Sequence, residues 1–432
     1  MPIPAGSGSG PAPAGLSYDP VLSRVRLSVQ VPSSAAYARV EQSTDQVRWT
    51  TVRGAEQVTP AAGGWVTISD YEFAPDVANY YRVRAFWSNG WEIGPAKNAN
   101  PYLEVDASGY TGVGGTIARS TAQAHEGTAS LLLTPDGVTA VVQARTVNLP
   151  VTAGNSYIAS DWMRTAVART AGISIIWRDA GGAILSQTLG PTVSMQAGVW
   201  TYHEVSGQAP AGATQATFVV ASMSGTPPVS DTAHVDEACF VVIGPVPVFE
   251  GVITPTLDGV WLKSVARPFL NRKVTVRDFS EVGRRARGGT FPVVGRSYPV
   301  AVTDVRGSRE WTLLLSTYTP EDADDLDLLL ASGDILLVHV PPGTDRLSAV
   351  PGGYVVVGDT REVTPPTVDL RMRVFEVPCT EVAAPGPDVV GAQSTWQTVL
   401  NTYPTWQAVM DARASWADLL ELVGDPTDVI VP

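Results

Sequence analysis

The side chains that could do chemistry in this chain are few and scattered. Its four histidines, His125, His203, His234 and His339, stand far apart, and none belongs to an H-E-x-x-H pair. There is no G-x-S-x-G elbow, phosphate-binding loop or dinucleotide fingerprint. The densest carboxylates, Glu321, Asp322, Asp324, Asp325 and Asp327, sit where a helix begins and answer its dipole rather than a substrate. Cys239 and Cys379 fit neither a disulfide framework nor a zinc site and read as small buried hydrophobes. The expectation is a protein that is not an enzyme. Stacking is better provided for. Tyr110, Trp162, Trp177, Trp200 and Tyr202 fall in one segment, and rings of this kind offer flat apolar faces with a polar edge. Trp177 shares a strand face with Ile173 and Ile175, which assigns it to a core. Trp200 falls between a turn and a strand. Trp162 shares its face with Ile158 and Arg164 and is open to either role.

The elements that must position these residues are mostly strands. At 432 residues the chain is long enough for about three domains. Charged residues make up 16%, against about 25% in an average globular protein, and Gly and Pro are frequent. Short alternating runs broken by these residues predict sandwiches and barrels. The net charge of −13 argues against a nucleic-acid binder. No run approaches the roughly 18 apolar residues of a membrane helix, so membrane insertion is not expected. The first residues, MPIPAGSGSGPAPAG, carry no secretory signal pattern and read as a flexible arm over 1–15.

Residues 16–98 predict a small sandwich. In RVRLSVQV, Val25, Leu27, Val29 and Val31 share one face of a half-buried strand, and in NYYRVRAFW, Tyr81, Val83 and Ala85 oppose Tyr80, Arg82 and Arg84. Residues 99–243 form a second all-β unit. Residues 246–382 predict a β-barrel-like domain with one helix. Its first part is basic: residues 261–309 hold eleven Lys and Arg against three acids, a net charge of +8. The helix that follows has Thr319 as N-cap, Pro320 in its first turn, a stripe of Ala323, Leu326, Leu329 and Leu330, and Gly333 after its end. Residues 383–393 read as a linker. The tail, 394–432, repeats Ser/Thr-Trp every ten residues at Trp396, Trp406 and Trp416, each predicting a short helix that buries its Trp on a neighbour. The class is mainly β and multidomain, with a short helical C-terminal tail.

The first unit resembles a fibronectin type III module, including the position where a tyrosine corner sits. The second, from NPYLEVDASGY to AHVDEACFVV, resembles the jelly-roll carbohydrate-binding modules of the family 4/9 type. That resemblance implies glycan binding at Tyr110, Trp162 and Tyr202, although Tyr110 stands where the family often has Trp. It makes Trp200 a packing residue, from the place that such a residue takes in this family. It also implies a structural calcium ion held by Glu104 and Asp236, with no other cofactor. The whole architecture, above all REWTLLLSTYTPEDADDLDLLLASGDILLVHVPPG and the Trp repeat, resembles minor tail proteins of siphophages that infect actinobacteria. What this implies is a virion tail-tip or baseplate protein, made in the host cytoplasm without a signal peptide. Its partners would be other phage tail-tip proteins, further copies of itself and host cell-surface polysaccharide. Arg284, Arg285, Arg287, Trp396, Trp406 and Trp416 are the candidate assembly residues. The competing expectations are a secreted bacterial glycan-binding protein and a tail-associated depolymerase.

Overall fold

Strand Arg24–Gln30 carries the alternating pattern noted above, and Val25, Leu27 and Val29 enter a buried core. The computed structural model describes residues 15–343, 347–363, 372–386, 403 and 405–412, so most of the N-terminal arm lies outside it. The strand is not half-buried. Arg24, Arg26 and Ser28 on its other face are covered too, and the strand is the middle one of a three-stranded sheet with Gly15–Asp19 and Trp65–Asp70. Arg24 is kept satisfied there by Asp19 at 3.1 Å and Ser69 at 3.2 Å. The facing sheet is built on Asn79–Phe86, paired with Tyr37–Ser43 and Glu92–Ala96. Tyr81 is buried as expected, and its hydroxyl donates to the Asp70 carboxylate at 2.6 Å.

The second unit is a sandwich of two antiparallel sheets, each with five strands along its main path, the second joined also by the short strands Leu149–Pro150 and Val193–Met195. One runs Thr201–Gln208, Ser156–Thr165, Ala233–Ile243, Ser130–Pro135 and Gly115–Ser120. The other runs Ile184–Leu189, Arg169–Arg178, Gln215–Ser224, Val141–Thr146 and Tyr110–Val113. This is a jelly roll. Tyr157, Trp177, Phe218 and Phe240 fill the space between its sheets, with Tyr157 stacked on Phe240 at 5.2 Å.

The two units are fused rather than strung. Strand Ala233–Ile243 pairs at its far end with Glu92–Ala96 (Val241 opposite Ala96, Ile243 opposite Ile93), so one ten-stranded sheet crosses the boundary. Asn98 clamps the joint by donating to the Ala238 carbonyl at 2.7 Å and accepting from the Phe240 amide at 2.9 Å. Ile158, Cys239 and Val241, on the outer face of the jelly roll, complete the core of the first sandwich.

A further difference concerns the third unit. Strand Phe249–Ile253 lies within 246–382 but pairs with Asn79–Phe86 of the first sandwich. The barrel itself begins at Val260–Ser264 and continues through Arg272–Phe279, Arg309–Thr317, Leu336–His339, Gly353–Val357 and Arg373–Glu381. Pairing of Arg309–Thr317 with both Arg272–Phe279 and Arg373–Glu381 closes the circuit of six strands. Helix Pro320–Ala331 buries Ala323, Leu326 and Leu329 in the barrel core, and the Thr319 hydroxyl accepts from the Asp322 amide at 3.0 Å. Lys263 ties the barrel to the first sandwich. It is buried and donates to the carbonyls of Ser23 and Tyr71, each at 2.7 Å. Helix Trp406–Ala412 forms at the middle Trp repeat, with the Thr405 hydroxyl capping the Ala408 amide. Trp396 and Trp416 lie outside the described residues, as does the linker from 387 onward. Among the described residues no helix is long and apolar enough to cross a membrane.

Candidate functional site

Alternation along Ser156–Thr165 sends Tyr157, Ala159 and Met163 into the jelly-roll core and leaves Ile158, Ser160, Trp162 and Arg164 for the outer face. The first sandwich covers that face at Ile158 and leaves it open at Trp162. The antiparallel register sets Tyr202 directly opposite Trp162, with ring centroids 5.5 Å apart. A third ring arrives from the loop between Gly115–Ser120 and Ser130–Pro135. His125 lies flat on Trp162, centroids 3.9 Å apart and planes 14° apart, and Trp200 meets His125 edge-on at 5.6 Å. The Arg164 guanidinium donates to the Gly198 carbonyl at 2.9 Å and so fixes the turn that carries Trp200.

Carboxyl groups border these rings. Glu204 accepts from the Tyr202 hydroxyl at 3.3 Å, and burial raises its pKa. Glu237, at a bulge with φ of 50°, places its carboxyl 3.2 Å from His125 Nδ1. Burial, and then the Glu126 carboxyl beside it, push Glu237 up to about 9, so it holds its proton at neutral pH. Burial also lowers the pKa of His125, which favours the neutral ring. Glu126 reaches across the module boundary and accepts from the Gly63 amide at 2.8 Å.

Glu104 and Asp236 meet at this loop, but as hydrogen-bond acceptors. Asp236 receives the amides of His125 (2.8 Å), Glu126 (3.1 Å) and Glu237 (2.8 Å). Glu104 receives the amides of Thr128 (2.8 Å) and Ala129 (3.2 Å) and the Thr128 hydroxyl (2.6 Å). Among the described residues no three His, Cys, Asp or Glu side chains converge to hold an ion. Both carboxylates are engaged in shaping the loop that presents His125.

No protein-family model matches the sequence, and no curated protein matches it. Among solved structures, the chain is similar to the C-terminal family 22 carbohydrate-binding module of Clostridium thermocellum, with 21% identity over 34% of this chain and 93% of that one, at a TM-score of 0.28. It is similar to the xylan-binding domain of Paenibacillus barcinonensis, with 14% identity over 36% of this chain and 97% of that one, at 0.29. The enzymatically active domain of tailspike protein 4 of bacteriophage CBA120 matches with 14% identity, over 34% of this chain and 21% of that one, at 0.29. These scores lie below 0.5, and the jelly-roll assignment rests on the strand order.

Of the three expected sugar-contact residues, Trp162 and Tyr202 come together and Tyr110 does not. Tyr110 is 7% exposed in the jelly-roll core, where its hydroxyl accepts from the Asn98 amide group at 3.1 Å, so it cannot stack on a sugar. Trp177 is core as expected. Trp200, expected in the core, is half-buried beside His125. Sequence reasoning missed His125 entirely, because its role depends on a loop folding over a strand distant in the chain. Among the described residues His203 lies 3.2 Å from Asp161, and both are enclosed in the protein interior.

The candidate assembly residues divide. Arg285 pairs with Glu310 at 3.0 Å. Arg284 donates to the Gly307 carbonyl at 3.3 Å and stands 4.0 Å from Glu381. Arg287 is exposed. Trp406, expected to be buried on a neighbour, is 55% exposed.

Proposed function

We propose that this chain is a structural, non-catalytic protein of a phage tail tip or baseplate that presents its jelly roll to glycan on a host surface. The observation that supports glycan binding is the open cluster of Trp162, His125, Trp200 and Tyr202. Its rings offer flat apolar surface to the C–H face of a sugar, and Glu204 at its edge can hydrogen-bond a sugar hydroxyl. The cluster sits on strands and on a clamped loop, which preorganises it. The virion assignment is supported by the resemblance of the barrel segment and Trp repeat to siphophage minor tail proteins. Further copies of the chain and neighbouring tail-tip proteins are the assembly partners in this reading.

Two measurements test it. The full chain, incubated with a panel of bacterial cell-surface polysaccharides, should retain at least one and lose it in the Trp162→Ala, Tyr202→Ala variant. A folded native chain that retains none of them defeats the glycan reading. Locating the chain in a cryo-EM map of an intact particle tests the tail assignment; density for it anywhere but the tail tip or baseplate defeats that part.

A further inference from the structure

Between barrel strands Arg272–Phe279 and Arg309–Thr317 the chain leaves the barrel and makes a two-stranded hairpin, Gly288–Phe291 with Val300–Thr303. This hairpin joins no other sheet among the described residues. From 281 to 306 every residue but Gly289 is exposed. The exposed residues include large apolar ones: Phe291 and Val302 are more than half exposed, Val305 is 72%, Tyr298 84% and Val294 fully exposed. A hairpin of two strands is marginal in water on its own, and clustered apolar surface of this kind marks an interface.

The same arm is basic. Arg284, Arg285, Arg287, Arg296 and Arg306 stand against Glu281 and Asp304, and Arg287, Arg296 and Arg306 form no ion pair among the described residues. The complementary surface lies on the same barrel. Helix Pro320–Ala331 turns Glu321, Asp324 and Asp327 outward with no basic partner among the described residues, and Tyr318, 58% exposed, stands just before its first turn. Each surface carries what the other lacks, and Arg287, Arg296 and Arg306 on the one and Glu321, Asp324 and Asp327 on the other are left unmatched among the described residues.

We propose that the arm of residues 281–306 docks on the helix Pro320–Ala331 of a second copy of this chain. The arginines meet Glu321, Asp324 and Asp327, and the apolar residues of the arm pack beside Tyr318. Such a contact joins two different surfaces, so it propagates head to tail and closes into a ring or continues as a filament. The charge match sets register and partner choice, and the apolar residues supply the contact area. This deepens the assembly part of the reading above and does not depend on glycan binding.

The test is sedimentation velocity of the full chain over a range of concentrations at low and high salt. Assemblies larger than one chain are expected at low salt, with salt weakening them. The arm variant Arg287→Glu, Arg296→Glu, Arg306→Glu should be monomeric, as should the helix variant Glu321→Arg, Asp324→Arg, Asp327→Arg. An equimolar mixture of the two should associate again, which a folding defect in either would not produce. A native chain that stays monomeric at low salt overturns the proposal. So does an arm variant that assembles like the native chain, although self-association in the tail would then survive by another surface. Failure of the mixture to associate, with the native arm instead shifting DNA in a gel, also overturns it. Polysaccharide retention by the same variants should be unchanged, which keeps this result separate from the glycan reading.

Discussion

Trp162 and Tyr202 stand directly opposite one another on neighbouring antiparallel strands, their rings tilted at 55° with centroids 5.5 Å apart. The pair makes an open wall rather than a packed core contact, since Tyr202 is 40% exposed and Trp162 half-buried. His125 stacks on Trp162, and Trp200 meets His125 edge-on, which extends the cluster.

Removing the centre of the wall should cost binding and little stability. Trp162→Ala is expected to weaken polysaccharide affinity by about tenfold or more, the range of a central aromatic contact. Isothermal titration calorimetry against the retained polysaccharide measures it. Tyr110→Phe, which removes a hydroxyl from the core, should leave affinity unchanged. Equal losses in both variants would mean that the outer face is not the binding surface.

The loop that carries His125 depends on Gly127 and two carboxylates. Gly127 has φ of 69°, and a Cβ there would come within 2.1 Å of the Glu104 carboxylate. Gly127→Ala therefore strains the backbone and displaces the acceptor of three hydrogen bonds. The expected cost is roughly 1–3 kcal/mol, read as a lower melting temperature together with weaker glycan affinity. Because the carboxylates already serve the loop, EDTA should leave the melting temperature of the native chain unchanged. A drop of several degrees on chelation, reversed by calcium, would restore the metal reading of Glu104 and Asp236.

Glu237 predicts a pH dependence with a definite sign. In the unfolded chain it titrates near about 4.3; in the fold, burial and the Glu126 carboxyl raise it to about 9. Between these values the native state binds more protons than the unfolded state, so its contribution to stability falls as pH rises. Below the unfolded value that contribution is complete. Glu237→Gln keeps the shape and removes the titration. Relative to native, its melting temperature should rise progressively from about pH 5 to about pH 9, measured by thermal melts at fixed ionic strength. A difference that is constant across this range would show that Glu237 does not titrate there.

Local pattern reached some parts of this molecule and not others. The helix at 320–331 was legible to the residue, because its cap, first-turn acids and apolar stripe all lie within a dozen positions. Trp177 was legible because Ile173 and Ile175 share its face. The return of Phe249–Ile253 to the first sandwich was not legible, since a strand's period says which face is buried and nothing about which sheet receives it. The same limit explains Trp200 and His125. Their neighbours are supplied by a turn and a loop, whose closure is set by Arg164, Glu104 and Asp236 rather than by any repeat in their own segments. Tyr110 was misplaced for a related reason: it starts a short strand whose first side chain enters the jelly-roll core, where its hydroxyl meets Asn98 at the joint between the units.

That joint has a counterpart at Lys263, which offers the sharpest test of whether the sandwich and barrel act as one body. Its ammonium group donates to the Ser23 and Tyr71 carbonyls and lies 4.7 Å from the centre of the Phe73 ring. Burial lowers its pKa to about 7, partly opposed by Asp70 and Glu72. The unfolded chain, titrating near about 10.4, thus binds more protons than the fold between these values, and stability gained from this group rises with pH there. Lys263→Met keeps the stem against Phe73 but leaves both carbonyls without their donor, at roughly 1–3 kcal/mol each. Beyond the Lys263 bonds, the junction keeps the Tyr354 hydroxyl bond to Glu72 at 2.5 Å and the packing of Leu257 and Trp261 on the first core. Scanning calorimetry of the native chain should show the sandwich and barrel melting together, and the variant should separate them into two transitions at neutral pH. The gap between the native and variant melting temperatures should widen as pH rises from about 7, because only the native chain gains from losing the buried charge. A variant that melts in one transition at an unchanged temperature would show that Lys263 fills space at the junction without coupling the two units.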